Sequence, residues 1–126
     1  MTRTVNLRYH FRKEGQRIIT ITPAWAGKGI AIHKPIWWDE HGQPQFDDAV
    51  GLWRLTHINS GLSMGSCRGS LDRVKRFAKE WDAEFAALKD GQAMAPKRIR
   101  AWRAALREME KSASRKPAMG SGQGVG

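Results

Sequence analysis

The segment 5-VNLRYHFRK-13 alternates without interruption. Val5, Leu7, Tyr9 and Phe11 fall on one side of an extended chain. Asn6, Arg8, His10 and Arg12 fall on the other, because successive strand side chains face opposite ways. The first set reads as a core face, the second as a face turned to water or to an anionic partner. Glu14-Gly15 reads as a tight turn, and 17-RIITITP-23 as the returning strand of an antiparallel hairpin. Arg17 then lies just across the hairpin and extends the cationic face.

Working outward, 24-AWAGKG-29 reads as a second turn. A third strand covers about residues 30–38 and is interrupted at Pro35, which has no backbone donor. If Trp37 and Trp38 share one regular strand, one of them must lie outside the core. Residues 39–48 form a polar loop, and 51-GLWRLTHI-58 is a fourth strand. Trp53, Leu55 and His57 share one of its faces; Arg54, Thr56 and Ile58 share the other. Asn59-Ser60-Gly61 carries turn chemistry, and the small-residue stretch 63-SMGSCRG-69 leads to Ser70. Ser70 is a helix N-cap with Asp72 in the first turn. The helix covers about residues 71–89, with Leu71, Val74, Phe77, Ala78, Trp81, Phe85 and Leu88 as its apolar stripe and Asp90-Gly91 as its stop. Pro96 opens a second helix over about residues 96–112, with Ile99, Trp102, Leu106 and Met109 as a narrow apolar side.

The order β-β-β-β-α-α predicts an α+β protein. Its simplest packing is one four-stranded antiparallel meander, with the first helix across the Val5/Leu7/Tyr9/Phe11 face. The opposite face is left open or is covered by a partner, which makes a homodimer an option. One domain is expected over residues 1–111, ending in the basic helix, with a flexible Gly/Ser-rich tail over 112–126.

The 126 residues include 22 Lys and Arg against 12 Asp and Glu, a formal charge of +10. That balance favours acidic partners: nucleic acid, single- or double-stranded, first, and an anionic membrane or acidic protein surface next. The charge is uneven: residues 1–34 carry a net +6, residues 35–53 a net −4 and residues 91–126 a net +6. Cys67 is the only cysteine, so neither an intramolecular disulfide nor a cysteine-rich metal site is expected. The N-terminal stretch lacks the apolar core of a signal peptide. No apolar run of about 18 residues spans a membrane. These features predict a cytoplasmic setting.

Motifs with chemical content are few. AGKG at 26–29 lacks the longer phosphate-loop pattern and precedes no helix, so it reads as a β-turn. His41 with Asp39, Glu40, Asp47 and Asp48 matches no metal-loop spacing and reads as a solvated acidic loop. His57 near Ser60 has the residue types of a base–nucleophile pair, but a strand end and a turn do not supply the geometry. Cys67 sits beside Arg68, whose charge would lower its pKa; an ordinary small thiol is the simpler reading. No catalytic residue, cofactor or metal site is expected.

The second helix is more informative. Lys97, Arg100, Arg103, Arg107 and Lys111 step by three, three, four and four residues. They form one basic line roughly opposite the apolar side. A solvated helix face usually intersperses Glu at pairing distance, and Glu108 and Glu110 are few beside these cations.

The stretch 53-WRLTHINSGLSMG-65, followed by 70-SLDRVKRFAKEW-81, resembles small accessory proteins of bacteriophages and conjugative elements. The likeness rests on Leu55, Thr56, His57, Ile58, Ser60 and Gly61. It implies a bacterial host and a role in a mobile element, and carries over no catalytic residue. The order of elements is also similar to that of the single-stranded-DNA-binding coactivator and Whirly-type folds, which dimerise and bind single strands through a curved sheet. The expected function is non-enzymatic nucleic-acid binding. Arg8, His10, Arg12, Arg17 and Arg54 would form a sheet-side patch, and Lys97, Arg100, Arg103, Arg107 and Lys111 would contact phosphates. The alternative is a phage anti-defence (anti-CRISPR-like) inhibitor that docks on an acidic host protein or nucleoprotein complex, favoured if Ile99, Trp102 and Leu106 form an uncovered face.

Overall fold

The computed structural model describes residues 3–89 and 92–115, with side chains through residue 112. The chain is α+β, with antiparallel strands first and two helices last. Strands are β1 (Val5–Phe11), β2 (Gly15–Ile21), β3 (Trp25–Ala26), β4 (Ile30–His33), β5 (Ile36–Trp38), β6 (Pro44–Phe46), β7 (Leu52–His57) and β8 (Ser63–Arg68). Helices are α1 (Leu71–Ala86) and α2 (Pro96–Arg115). The single meander expected from the sequence is replaced by three sheets: a β1-β2 hairpin, a β5-β6 hairpin, and a central sheet of order β3-β4-β7-β8.

The central sheet is covered on both faces. Ile30, Ile32 and Leu55 point to the helices and form one core with Met64, Val74, Phe77, Phe85 and Trp102. Ala31, on the opposite face, joins Val5, Leu7, Ile21 and Ile36 in a second core beneath the β1-β2 hairpin. The inner face of β1 therefore does not meet α1. It covers the sheet face that was expected to stay open, giving three layers: hairpin, sheet, helices. Double coverage also explains why every residue of β4 is buried, as in strands packed on both sides.

The third expected strand breaks at Lys34-Pro35, and the polar loop after it folds into the β5-β6 hairpin. Trp38 packs edge-on against Tyr9 and Phe11, at 5.5 and 5.1 Å between ring centroids. Trp37 faces the other way and is 53% exposed, as adjacent residues of one strand must be. β8 lies in the small-residue stretch read as a connection. Its pairing with β7 slips between Arg54 and Thr56, and Gly65 at φ +115° supplies the turn of the chain. The slip spaces buried Met64 and Cys67 three residues apart, which hides the period of two.

Helix α1 begins as expected: the Ser70 side chain accepts from the Arg73 backbone N–H. It ends at Ala86, three residues before the expected end at 89; the expected stop at Asp90-Gly91 lies outside the described residues. Three polar side chains hold α1 to the sheet. His57 Nε2–H donates to the Phe85 carbonyl at 2.9 Å. Asn59 donates to the carbonyls of Ala86 and Leu88, closing helix-end acceptors that otherwise lack partners. The Asp82 carboxylate accepts from the backbone N–H groups of Lys28, Gly29 and Ile30 at 2.8–2.9 Å. The AGKG turn thus is an anion-binding concavity, occupied by the protein's own carboxylate.

Gly29 lies so close to α1 that a Cβ there would sit 2.3 Å from the Ala86 nitrogen. Gly29→Ala must push the helix off the sheet, with a predicted loss of about 1–3 kcal/mol by analogy with overpacked cores. Exposed Lys28→Ala in the same turn should stay within about 0.5 kcal/mol of wild type. Urea unfolding of both variants measures this.

Candidate nucleic-acid interface

The side of α2 facing the domain is fixed by two links to the free edge of β8. Buried Trp102 donates its indole N–H to the Met64 carbonyl at 2.8 Å. The Glu110 carboxylate accepts from the Arg68 backbone N–H at 2.8 Å. Around Trp102 stand Phe77, Trp81 and Phe85, with ring centroids 5.1–5.4 Å away. Such contacts add to the area effect of burying a ring. Leu106 is also buried. Arg98 forms an ion pair with Glu84 of α1 at 3.1 Å and donates to the Gln92 carbonyl. The apolar side and its flanking polar groups are thereby used within the domain.

The opposite side carries the expected cations. Lys97, Arg100, Arg103, Arg107 and Lys111 are all exposed, along about 21 Å of helix at 1.5 Å per residue. Lys111 lies 3.5 Å from Glu108, an exposed pair of the kind that contributes about 0–1 kcal/mol. Beside the line, a groove between the helices holds Arg73 and Arg76 together with Glu80 and Glu108. The groove is mixed in charge, so the cationic surface is the crest of α2.

The sheet-side patch does not assemble as expected. Arg8 and His10 lie on the outer face of β1, opposite Ile18 and Gln16. Arg8 is half-buried and its backbone N–H donates to the Gly61 carbonyl at 2.8 Å. Arg12 lies in the hairpin turn, past the end of β1, and is exposed. Arg17 is opposite Tyr9 and so belongs to the inner face. Its guanidinium lies 4.6 Å from the Trp38 ring centroid and donates to the Gly42 carbonyl. Arg54 lies on the sheet face beneath the hairpin, is half-buried and donates from Nε to Ser66 Oγ at 3.2 Å. Its charge acts inside the fold: burial pulls the His33 imidazole below its usual pKa, a bond to the Lys34 carbonyl opposes this, and Arg54 lowers it further. Burial also raises the Tyr9 phenol, which Arg54 partly offsets. Arg17 and Arg54 therefore leave the patch, and what remains of it lies on the layer opposite α2.

The other chemical motifs are satisfied internally. His57 Nδ1 lies 2.8 Å from Ser60 Oγ. With Nε2 donating to Phe85, Nδ1 accepts the Ser60 hydroxyl proton. Ser60 Oγ also accepts from the Leu62 N–H, and both side chains are buried, so the pair pins a turn and offers no accessible nucleophile. Asp39 accepts from the His41 and Gln43 backbone and from Gln45 Nε2, which holds its pKa below the usual carboxylate value, the Gln43 bond contributing most. Among the described residues no group of three or more His, Cys, Asp or Glu converges on a metal position, and no helix is long and apolar enough to cross a membrane. Sequence reasoning missed Glu110 as an anchor; it was counted as a charge beside the line, although it falls outside it.

Compared with protein-family models, characterised proteins and solved structures, the chain matches none.

Burial, with a smaller effect from Glu110, pushes the Cys67 thiol up from 9.0 to about 12, the behaviour of an ordinary buried thiol. The raised value makes its contribution to stability complete below pH 9.0 and lost as pH rises towards 12. Urea unfolding of wild type and Cys67→Ala should show the wild-type advantage shrinking above pH 9.0; a constant difference contradicts this environment.

Proposed function

We propose that the protein is a non-enzymatic nucleic-acid-binding accessory protein of a phage or other mobile element, acting in the bacterial cytoplasm. It grips the phosphate backbone of a duplex through the crest of α2. The observation that carries this reading is the line of five exposed cations on a helix held rigidly by its other side. Their positive charge releases counterions from the polyanion, which drives binding largely independent of sequence. The crest between Lys97 and Lys111 carries no aromatic side chain, so it lacks the stacking platform that single strands use.

The mobile-element setting rests on the resemblance of residues 53–81. Exposed Trp37, with Phe46 and Val50 nearby in sequence, favours a second reading: an anti-defence inhibitor with an aromatic anchor for an acidic host protein. That reading no longer draws on Ile99, Trp102 and Leu106, since Trp102 and Leu106 are buried. Affinity capture from nuclease-treated bacterial lysate separates the two. A stoichiometric protein retained by wild type and lost with Trp37→Ala supports the inhibitor.

Fluorescence anisotropy with labelled duplex and single-stranded DNA at two salt concentrations tests the leading reading. Wild type should bind duplex and weaken steeply with salt. Arg100→Ala/Arg103→Ala/Arg107→Ala should bind at least about tenfold more weakly, with a log–log salt slope shallower by about 2–3. Arg12→Ala in the hairpin turn should change neither. An unchanged slope in the triple variant, or no binding at low salt, overturns the assignment.

A further inference from the structure

Among the described residues, two long strand edges are met by other elements and one is not. The edge of β8 is covered by Trp102 and Glu110. On β1, Arg8 donates its backbone N–H to Gly61. β2 forms the other edge of the hairpin, and among the described residues no backbone hydrogen bond to another element closes it. The Arg8 N–H points away from β2, and Arg8 is opposite Ile18. That pair is therefore of the non-hydrogen-bonded kind, and the Ile18 N–H and C=O point away from β1 as well. Gln16 and Thr20, two residues to either side, present their backbone groups in the same direction. All three side chains are exposed, Ile18 by 55%.

Strand edges of this kind are usually blunted by a charge, a proline or a bulge. β2, GQRIITI, has none of these at its edge. Its one charge, Arg17, is held on the inner face by Trp38 and Gly42.

We propose that β2 is a self-association edge, on which a second copy of this chain pairs antiparallel about a two-fold axis at Ile18. The two hairpins then form one four-stranded sheet. Ile18 faces Ile18 of the second copy, Gln16 faces its Thr20, and Thr20 faces its Gln16. These pairs exchange about six backbone hydrogen bonds. The register is selected by the sequence. Arg17 faces Ile19 of the second copy, so no like charges oppose. The next allowed register towards the turn sets Arg17 against Arg17. The next one the other way sets Gln16 against Thr22, beyond the end of the strand. The pairing lies on the layer opposite α2, and stands or falls independently of nucleic-acid binding.

Sedimentation and amide hydrogen exchange of the full chain, without nucleic acid, test it. Wild type should dimerise as concentration rises. The amides of Gln16, Ile18 and Thr20 should then exchange at least about tenfold more slowly than in dilute protein. Those of Arg17, Ile19 and Ile21 are protected at both concentrations by β1. Ile18→Lys alters only a solvent-facing side chain and brings two ammonium groups together on the axis; it should remain a folded monomer by near-UV circular dichroism. A wild type that stays monomeric at high concentration overturns the proposal. So does a dimer whose Gln16, Ile18 and Thr20 amides still exchange at the dilute rate, or one that Ile18→Lys leaves intact.

Discussion

Trp102 is the residue on which the rest of the arrangement turns. A buried indole must find an acceptor for its N–H or lose on the order of 1–3 kcal/mol, and it finds the Met64 carbonyl on the outer edge of β8. One contact therefore satisfies the ring, closes a sheet edge and sets the rotation of α2 about its own axis. Glu110, two turns further on, binds the same edge at Arg68 and fixes the helix along its length. Once this side is committed, the cations of the opposite side are left exposed. The exposed crest follows from the packing of its opposite side.

A second theme is the use of polar side chains as internal fasteners. Asp82 fills the AGKG concavity, His57 and Asn59 close the end of α1, and His33 bonds both Thr56 and the Lys34 carbonyl. Each of these groups has the residue type of a functional site. Asp82, His57 and Asn59 use that capacity to hold α1 to the sheet, and buried His33 uses it within the sheet, as buried polar groups must. The same holds for Arg17 and Arg54, whose guanidinium groups lie between layers.

Local patterns were legible where one face of an element is buried. The alternation of residues 5–11, the cap at Ser70, the stripe from Val74 to Phe85 and the cationic line on α2 all follow from periodicity and capping. The break at Pro35 and the opposed directions of Trp37 and Trp38 follow from backbone chemistry alone. What stayed hidden is the layering. Nothing in the alternation of β1 distinguishes a face covered by a helix from one covered by a sheet. β8 escaped because its slip at Gly65 destroys the period of two, and β6 because three residues that open on a proline carry no strand signal of their own. Arg17 was assigned to the wrong face because the turn spans Arg12–Glu14 and sets Arg17 opposite Tyr9. In a strand, that shift of phase reverses every side chain.

The basic residues divide into an exposed crest on α2, which is proposed to meet phosphate, and Arg8, Arg17 and Arg54, which are half-buried on β1, β2 and β7. The most direct check is the NMR signal of the arginine Nε–H groups on titration with duplex DNA. The division predicts that Arg100, Arg103 and Arg107 shift together and saturate, while Arg8, Arg17 and Arg54 hold their positions. Shifts confined to Arg8, Arg17 or Arg54, with α2 unmoved, would contradict it.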